Sequence, residues 1–205
     1  MEGVLKMSEP VRVTEVLSYF SEPWKLDWYA KYGKAHCNRV GKASMKIGSE
    51  VDEIIKANVG GAYLPSKLKN KEVASCIEAY QKWHKVYQPK SIVPGTRLFA
   101  TIDGVEVTGE PDLFVDDVLV DIKCSTKISP SYWVQVNMYN YLEGCSFGGT
   151  NSVTHSKVAI LRLDKVSGSY EYVVKAYDPS LVEVWCGMMR AYCYFNKERN
   201  DGDEL

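Results

Sequence analysis

Histidine is scarce in this chain of 205 residues, and none of His36, His84 and His155 stands at a metal-ligand spacing from another. No Ser-His-Asp or Cys-His arrangement stands out, which speaks against a nucleophilic triad. No cysteine pair has the C-x-x-C spacing. Cys37, Cys76, Cys124, Cys145, Cys186 and Cys193 lie largely in apolar surroundings such as "VASCIEAY", as reduced, buried thiols of an intracellular protein do. No apolar run approaches the ~18 residues that cross a membrane. The first residues, "MEGVLKMSEPVRVTEVL", lack the apolar core of a signal peptide, so an intracellular protein without a membrane association is expected. A formal net charge of −1 leaves no global basic footprint for nucleic acid; any such footprint must be local. Internal repeats and low-complexity tracts are absent too.

What is present is an ordinary globular composition, 45% hydrophobic and 25% charged, on a length that suits one domain. Residues 1–95 read as mainly helical and residues 96–205 as the sheet-containing part. Apolar spacing predicts helices over 13–32 with a break at Pro23, over 46–59, and over 71–87 up to Pro89. "GGAYLPSKLKN" reads as a loop. Then "TRLFATI", "VEVTGEP", "LFV" and "VLVDIKC" are rich in β-branched and aromatic residues and are parted by "DG" and "DD", as in an antiparallel meander. A helix follows, with Ser129 as cap, Pro130 in the first position and Gly144 at its close. Two more strands, "HSKVAILRLD" and "YEYVVKAY", precede a last helix capped by Asp178. This order implies a mixed β-sheet flanked by helices in an α/β fold, with an N-terminal helical region.

"GEPDLFVDDVLVDIK", residues 109–123, carries the chemistry. With Asp116 and Asp117 as a two-residue turn, Asp112 faces Asp121, Phe114 faces Leu119, and Glu110 faces Lys123. These six share one face, because strand side chains alternate. Val118, Val120 and Ile122 take the other face, the expected core. Two carboxylates directly opposite each other repel, with Cβ atoms ~5 Å apart. A divalent cation between them turns the repulsion into binding, and hard oxygen donors suit Mg²⁺. Lys123 on the same face would orient an attacking water or stabilise a pentacoordinate phosphate.

These residues resemble a known pattern. Pro111–Asp112, eight intervening residues and then "DIK" at Asp121–Lys123 resemble the PD-(D/E)XK nuclease superfamily. "QVNMY", Gln135 to Tyr139, is similar to the Q-x-x-x-Y motif of its RecB-like exonuclease branch. "RVTEVLSYFSEPWKLDWY" and "IGSEVDEIIKA" resemble that branch's entry helix and the helix after it. The resemblance spans residues 11–139. It implies a restriction-endonuclease-like core and hydrolysis of DNA phosphodiester bonds with Mg²⁺ or Mn²⁺. It also implies that Asp112, Asp121 and the carbonyl of Ile122 hold metal and that Lys123 serves the water. Gln135 and Tyr139 would line the site or touch the DNA backbone. Where the family often has a histidine ligand, this chain has Asp52, and Glu50 competes for that role. Glu110 would either pair with Lys123 or extend the metal shell.

DNA has a candidate path in the segment 23–48, which holds Lys25, Lys31, Lys34, Arg39, Lys42 and Lys46 against Asp27 alone. Trp24, Trp28, Tyr29 and Tyr32 are interleaved, and rings of this kind stack on unpaired bases. Lys67, Lys69 and Lys71 add to the positive charge. An exonuclease acting on DNA ends is the leading expectation. A structure-specific endonuclease on the same core and a non-catalytic nucleic-acid-binding module are the alternatives. An iron–sulfur cluster, as some nucleases of this core carry, is not expected, because Cys186 and Cys193 lack a third C-terminal partner unless Cys145 serves.

Overall fold

The computed structural model describes residues 9–20, 23–59, 68–148 and 154–202. In chain order the elements are β1 (Val11–Arg12), α1 (Val13–Tyr19), α2 (Pro23–Tyr32), α3 (Lys34–Ala57) and α4 (Lys71–Tyr87). Strands β2 (Ile92–Pro94), β3 (Leu98–Ile102), β4 (Val105–Gly109), β5 (Leu113–Val115) and β6 (Val118–Lys123) follow. The chain ends with α5 (Pro130–Gly148), β7 (Lys157–Leu163), β8 (Tyr170–Ala176) and α6 (Pro179–Gly202).

The strands form two sheets, one ordered β2-β5-β6-β7-β8 and a smaller one ordered β1-β4-β3. The larger sheet is mixed: β6 and β7 run parallel, joined through α5, and its other neighbours are antiparallel. The expected continuous meander is therefore two hairpins in two sheets. Pro111 has no N–H to donate to a ladder, and the chain leaves pairing between Gly109 and Leu113. The first hairpin turns at Asp103 and Gly104, both with positive φ (50° and 77°), the geometry for which Asp-Gly is suited.

The expected core face of the β5–β6 hairpin is buried as read from the sequence, and the opposite face is buried as well. Leu113, Val115, Val118, Val120 and Ile122 pack with Ile47, Val51 and Ile55 of α3 and with Val73, Ile77 and Trp83 of α4. Leu119, Val158 and Ile160 pack on the opposite face with α5, α6, α1 and the small sheet. β6 is a central strand covered on both sides, so "VLV" reads as an unbroken apolar run, not an alternation.

Two element boundaries also differ, and two short strands were not expected. α3 begins at Lys34, a dozen residues before the expected start, and runs through Gly41 and Gly48. Glycine in a helix costs only about 1 kcal/mol relative to alanine, and burial of Cys37, Ile47, Val51 and Ile55 offsets that. α5 continues past Gly144 to Gly148. The short strands β1 and β2 exist through their partners: β1 pairs in parallel with β4, and β2 pairs with β5. The caps behave as expected, with Ser129 Oγ accepting from Ser131 N–H at 3.4 Å and Asp178 Oδ1 accepting from Ser180 N–H at 2.9 Å.

Candidate active site

The β5–β6 register pairs Leu113 with Val120, Phe114 with Leu119 and Val115 with Val118, as the turn at Asp116–Asp117 requires. Asp116 adopts φ 54°, and its Oδ1 accepts from the N–H groups of Lys90 and Ser91, which pins the turn to the chain before β2. One residue before β5, Asp112 Oδ2 accepts from Ile122 N–H at 2.6 Å. The carboxylate thus takes a ladder position that backbone would otherwise fill, next to Asp121. Ile122 meets the site through this N–H.

α5 delivers the next two groups, one helical turn apart. Gln135 Nε2 donates to Asp121 Oδ1 at 3.0 Å and to the Tyr139 hydroxyl at 3.0 Å. Gln135 Oε1 accepts from Lys123 Nζ at 3.1 Å. Lys123 Nζ also stands 2.7 Å from Asp121 Oδ2, an ion-pair contact without hydrogen-bond alignment. The ring of Tyr132 lies beneath the ammonium, its centroid 5.0 Å from Nζ. Four sequence-expected residues, Asp121, Lys123, Gln135 and Tyr139, are therefore joined in one network, and Asp112 adjoins it through the Ile122 N–H.

Burial sets the protonation of this network. Burial and then the neighbouring Asp121 charge raise the Asp112 carboxyl to about 8. Burial also raises Asp121 above the usual carboxylate range, against the pull of Lys123. For Lys123 burial acts against charging, but the charges of Asp121 and Asp112 outweigh it and keep its pKa above the ordinary lysine value. Burial raises Tyr139 as well, so its hydroxyl stays protonated.

Asp52 reaches the same region from α3. Its charge contributes to the raised pKa of both Asp112 and Asp121, and its own carboxyl is raised by burial. Its Oδ2 is 3.1 Å from Lys56 Nζ, and its Oδ1 is buried with no hydrogen-bond partner. Glu50, the competing candidate, is half-buried on the same helix. Glu110 does not pair with Lys123 as one expectation had it: it stands 3.3 Å from Lys56 and 3.6 Å from Arg97. The chain has left strand pairing at Glu110, so the alternation that would bring it opposite Lys123 no longer applies. Lys56 and Arg97 were missed in the sequence. The Asp52–Lys56 spacing of one helical turn was the available signal for the first; nothing local marks the second.

A groove of about 160 Å³ between Arg12, Thr14, Arg97, Glu110 and Tyr139 opens on one end of this row. A second of about 260 Å³, lined by Thr14, Phe20, Trp24, Lys25, Tyr132 and Gln135, opens on the other. Thr14 lines both. Trp24 and Lys25 of α2 thus share a groove with Gln135. Lys31, Lys34, Arg39, Lys42 and Lys46 are exposed along α2 and α3, while Trp28 is half-buried and stacks on Tyr29 at 5.9 Å. Lys69 and Lys71 are exposed, and Lys67 lies outside the described residues. Cys186 and Cys193 are in the core around α6, and Cys76 is in the opposite cluster.

The donors near Asp112 and Asp121 are hard oxygens, and Asp52 Oδ1 is buried without a hydrogen-bond partner, which fits a Mg²⁺- or Mn²⁺-type ion. Among the described residues no three His, Cys, Asp or Glu side chains converge closely enough to hold an ion in this conformation. The ammonium groups of Lys123 and Lys56 stand against two of these carboxylates.

No protein-family model and no curated protein sequence matches the chain. Solved structures do. A candidate exonuclease from Eubacterium rectale is 14% identical at a TM-score of 0.53, with 93% of this chain and 79% of that one covered. An alkaline exonuclease from Laribacter hongkongensis is 13% identical at 0.42, with 94% of each chain covered. A phage-related exonuclease from Haemophilus somnus is 16% identical at 0.44, with 93% and 96% covered. At the level of the fold the chain is like the candidate exonuclease, and it has a restriction-endonuclease-like core.

Proposed function

We propose that the chain is a metal-dependent deoxyribonuclease that hydrolyses DNA phosphodiester bonds, working from ends as an exonuclease. The observation that carries this reading is the ring of contacts among Asp121, Lys123 and Gln135, with Tyr139 bonded to Gln135 and Asp112 held alongside on the Ile122 N–H. The fold shared with a candidate exonuclease supports it, as does the groove that joins Gln135 to Trp24 and Lys25. Asp112, Asp121 and Asp52 would hold Mg²⁺ or Mn²⁺, with the Ile122 carbonyl as a further donor. When bound, the ion supplies charge neutralisation at the scissile phosphate and a more acidic water. Lys123 would hold the attacking water by hydrogen bonding, with Gln135 Oε1 fixing where its ammonium points. Tyr139, kept protonated by burial, would not act as a base; its hydroxyl accepts from Gln135 Nε2 and keeps its own proton for the DNA backbone. Trp24, Trp28, Lys25, Lys31, Lys34, Arg39 and Lys42 would guide DNA towards that row by stacking and phosphate contact.

The test is cleavage of end-labelled single- and double-stranded DNA with Mg²⁺, Mn²⁺, Ca²⁺ or EDTA, alongside closed circles. Hydrolysis with Mg²⁺ or Mn²⁺ only, sparing circles, is expected. Cutting of closed circles would assign an endonuclease instead. Asp121→Asn and Lys123→Ala should abolish hydrolysis and leave DNA binding intact; normal cutting by both variants would reject the site.

A further inference from the structure

Lys56 is a fixed cation outside the motif residues. Its ammonium bridges two carboxylates from separate elements, Asp52 Oδ2 at 3.1 Å and Glu110 Oε1 at 3.3 Å. The side chain is 20% exposed, so water screens these pairs only in part. The Asp112 charge acts on it as well, so it lies within the field of the catalytic carboxylates. On the other side of the same carboxylate, Asp52 Oδ1 is buried and open. One oxygen of Asp52 is thus held by a lysine while the other is free to accept a ligand.

Charge balance shows what this arrangement does. When ionised, Asp52, Glu110, Asp112 and Asp121 carry four negative charges, against positive charges on Lys56, Lys123 and Arg97. One divalent ion then leaves a single positive charge, which one phosphodiester neutralises. A second divalent ion would leave a large positive excess, which the solvent around the partly exposed Glu110 and Arg97 screens only in part. The tethered ammonium has a high effective concentration at its carboxylates, and Mg²⁺ gives up its waters reluctantly.

We infer that Lys56 is a built-in cation that fills a second ion position between Asp52 and Glu110, so that the site loads one divalent ion instead of two. This rests on the metal-dependent reading above and extends it to the number of ions bound. Titration of the whole chain with Mn²⁺, without DNA, followed by calorimetry and by electron paramagnetic resonance, tests it. The wild type should bind one Mn²⁺. Lys56→Met should bind two, the first of them roughly tenfold or more tighter, because a nearby positive charge is gone. Lys56→Arg keeps the cation and should still bind one. Glu110→Gln added to Lys56→Met removes a donor and should restore one. Near-UV circular dichroism checks folding, and Lys56→Gln replaces the methionine variant should that one fail to fold. One ion in both the wild type and Lys56→Met, at equal affinity, would overturn the inference and leave the metal site standing, as would two in the wild type. No ion in either would overturn the metal reading itself and this inference with it.

Discussion

Asp112 shows how one buried carboxyl ties stability to chemistry. Its folded pKa of about 8 lies above the ordinary value of 3.8, so the fold favours the neutral acid. The stabilising contribution is complete below the unfolded pKa and is lost as pH rises through the folded one. Without metal, thermal stability should therefore fall between pH 5 and pH 8. Asp112→Asn should flatten that fall and melt higher than the wild type at pH 8; saturating Mn²⁺ should reverse the order. Melting curves at both pH values check this, and a wild type that outlasts the variant at pH 8 without metal would contradict it. Gly109 makes a second residue-scale case. A Cβ there would stand 2.6 Å from Tyr139 Cε1, and the ring is packed and 4% exposed, so it must shift. Gly109→Ala should cost about 1–3 kcal/mol from overpacking. It should also slow cleavage more than Tyr139→Phe, which forfeits only one hydrogen bond worth about 1 kcal/mol. Chemical denaturation and single-turnover cleavage compare the two.

α5 is the element that links the site to the rest of the sheet. Its far half holds a second polar cluster: Glu143 Oε2 is 3.0 Å from His155 Nε2, and Asn140 Oδ1 accepts from His155 N–H and the Thr154 hydroxyl. The His155 ring stacks on Phe114 of β5 at 5.3 Å. The Glu143 bond raises the His155 pKa above 6.5; burial pushes Glu143 up, but the His155 and Thr154 bonds together hold it below 4.5. The histidine part of this stabilisation is complete below 6.5 and is lost as pH rises through its raised value. The glutamate part holds above 4.5 and fades as pH falls through its lowered one. His155→Gln should therefore cost most near pH 5.5–6.5, about 1 kcal/mol after solvent screening, and less at pH 9, as read from urea denaturation. This pair was not legible in the sequence, because a histidine and a glutamate on different elements carry no shared period. Asp112, Asp121 and Lys123 were legible through the two-residue period of a tight hairpin, and Gln135 and Tyr139 through a helical turn. The second sheet, β1 and the partner of Glu110 were not, since each depends on which distant segment packs alongside. The early start of α3 was hidden by Gly41 and Gly48, whose local preference is outweighed by the buried stripe.

At the scale of the molecule, charge is unevenly spread. The chain as a whole is −1, yet residues 23–48 hold six lysines and arginines against one aspartate. On the proposed reading, a DNA strand would meet attraction along α2 and α3 and repulsion at the carboxylates of the site. Bound divalent ion would cancel the second and leave the first, which makes the arm a determinant of affinity and the site a determinant of rate. Replacing Lys25, Lys31 and Lys34 together by alanine should lower the slope of log affinity against log salt by about 2 for single-stranded DNA, as three phosphate contacts imply. Cleavage at saturating DNA should change little, because none of these three ammonium groups touches the carboxylate network. Fluorescence anisotropy in Ca²⁺ across a salt series gives the slope, and rapid-quench cleavage in Mg²⁺ gives the rate. An unchanged slope would move the DNA path away from α2 and α3 and towards the groove between Arg12 and Arg97, whose variants would then carry the salt dependence instead.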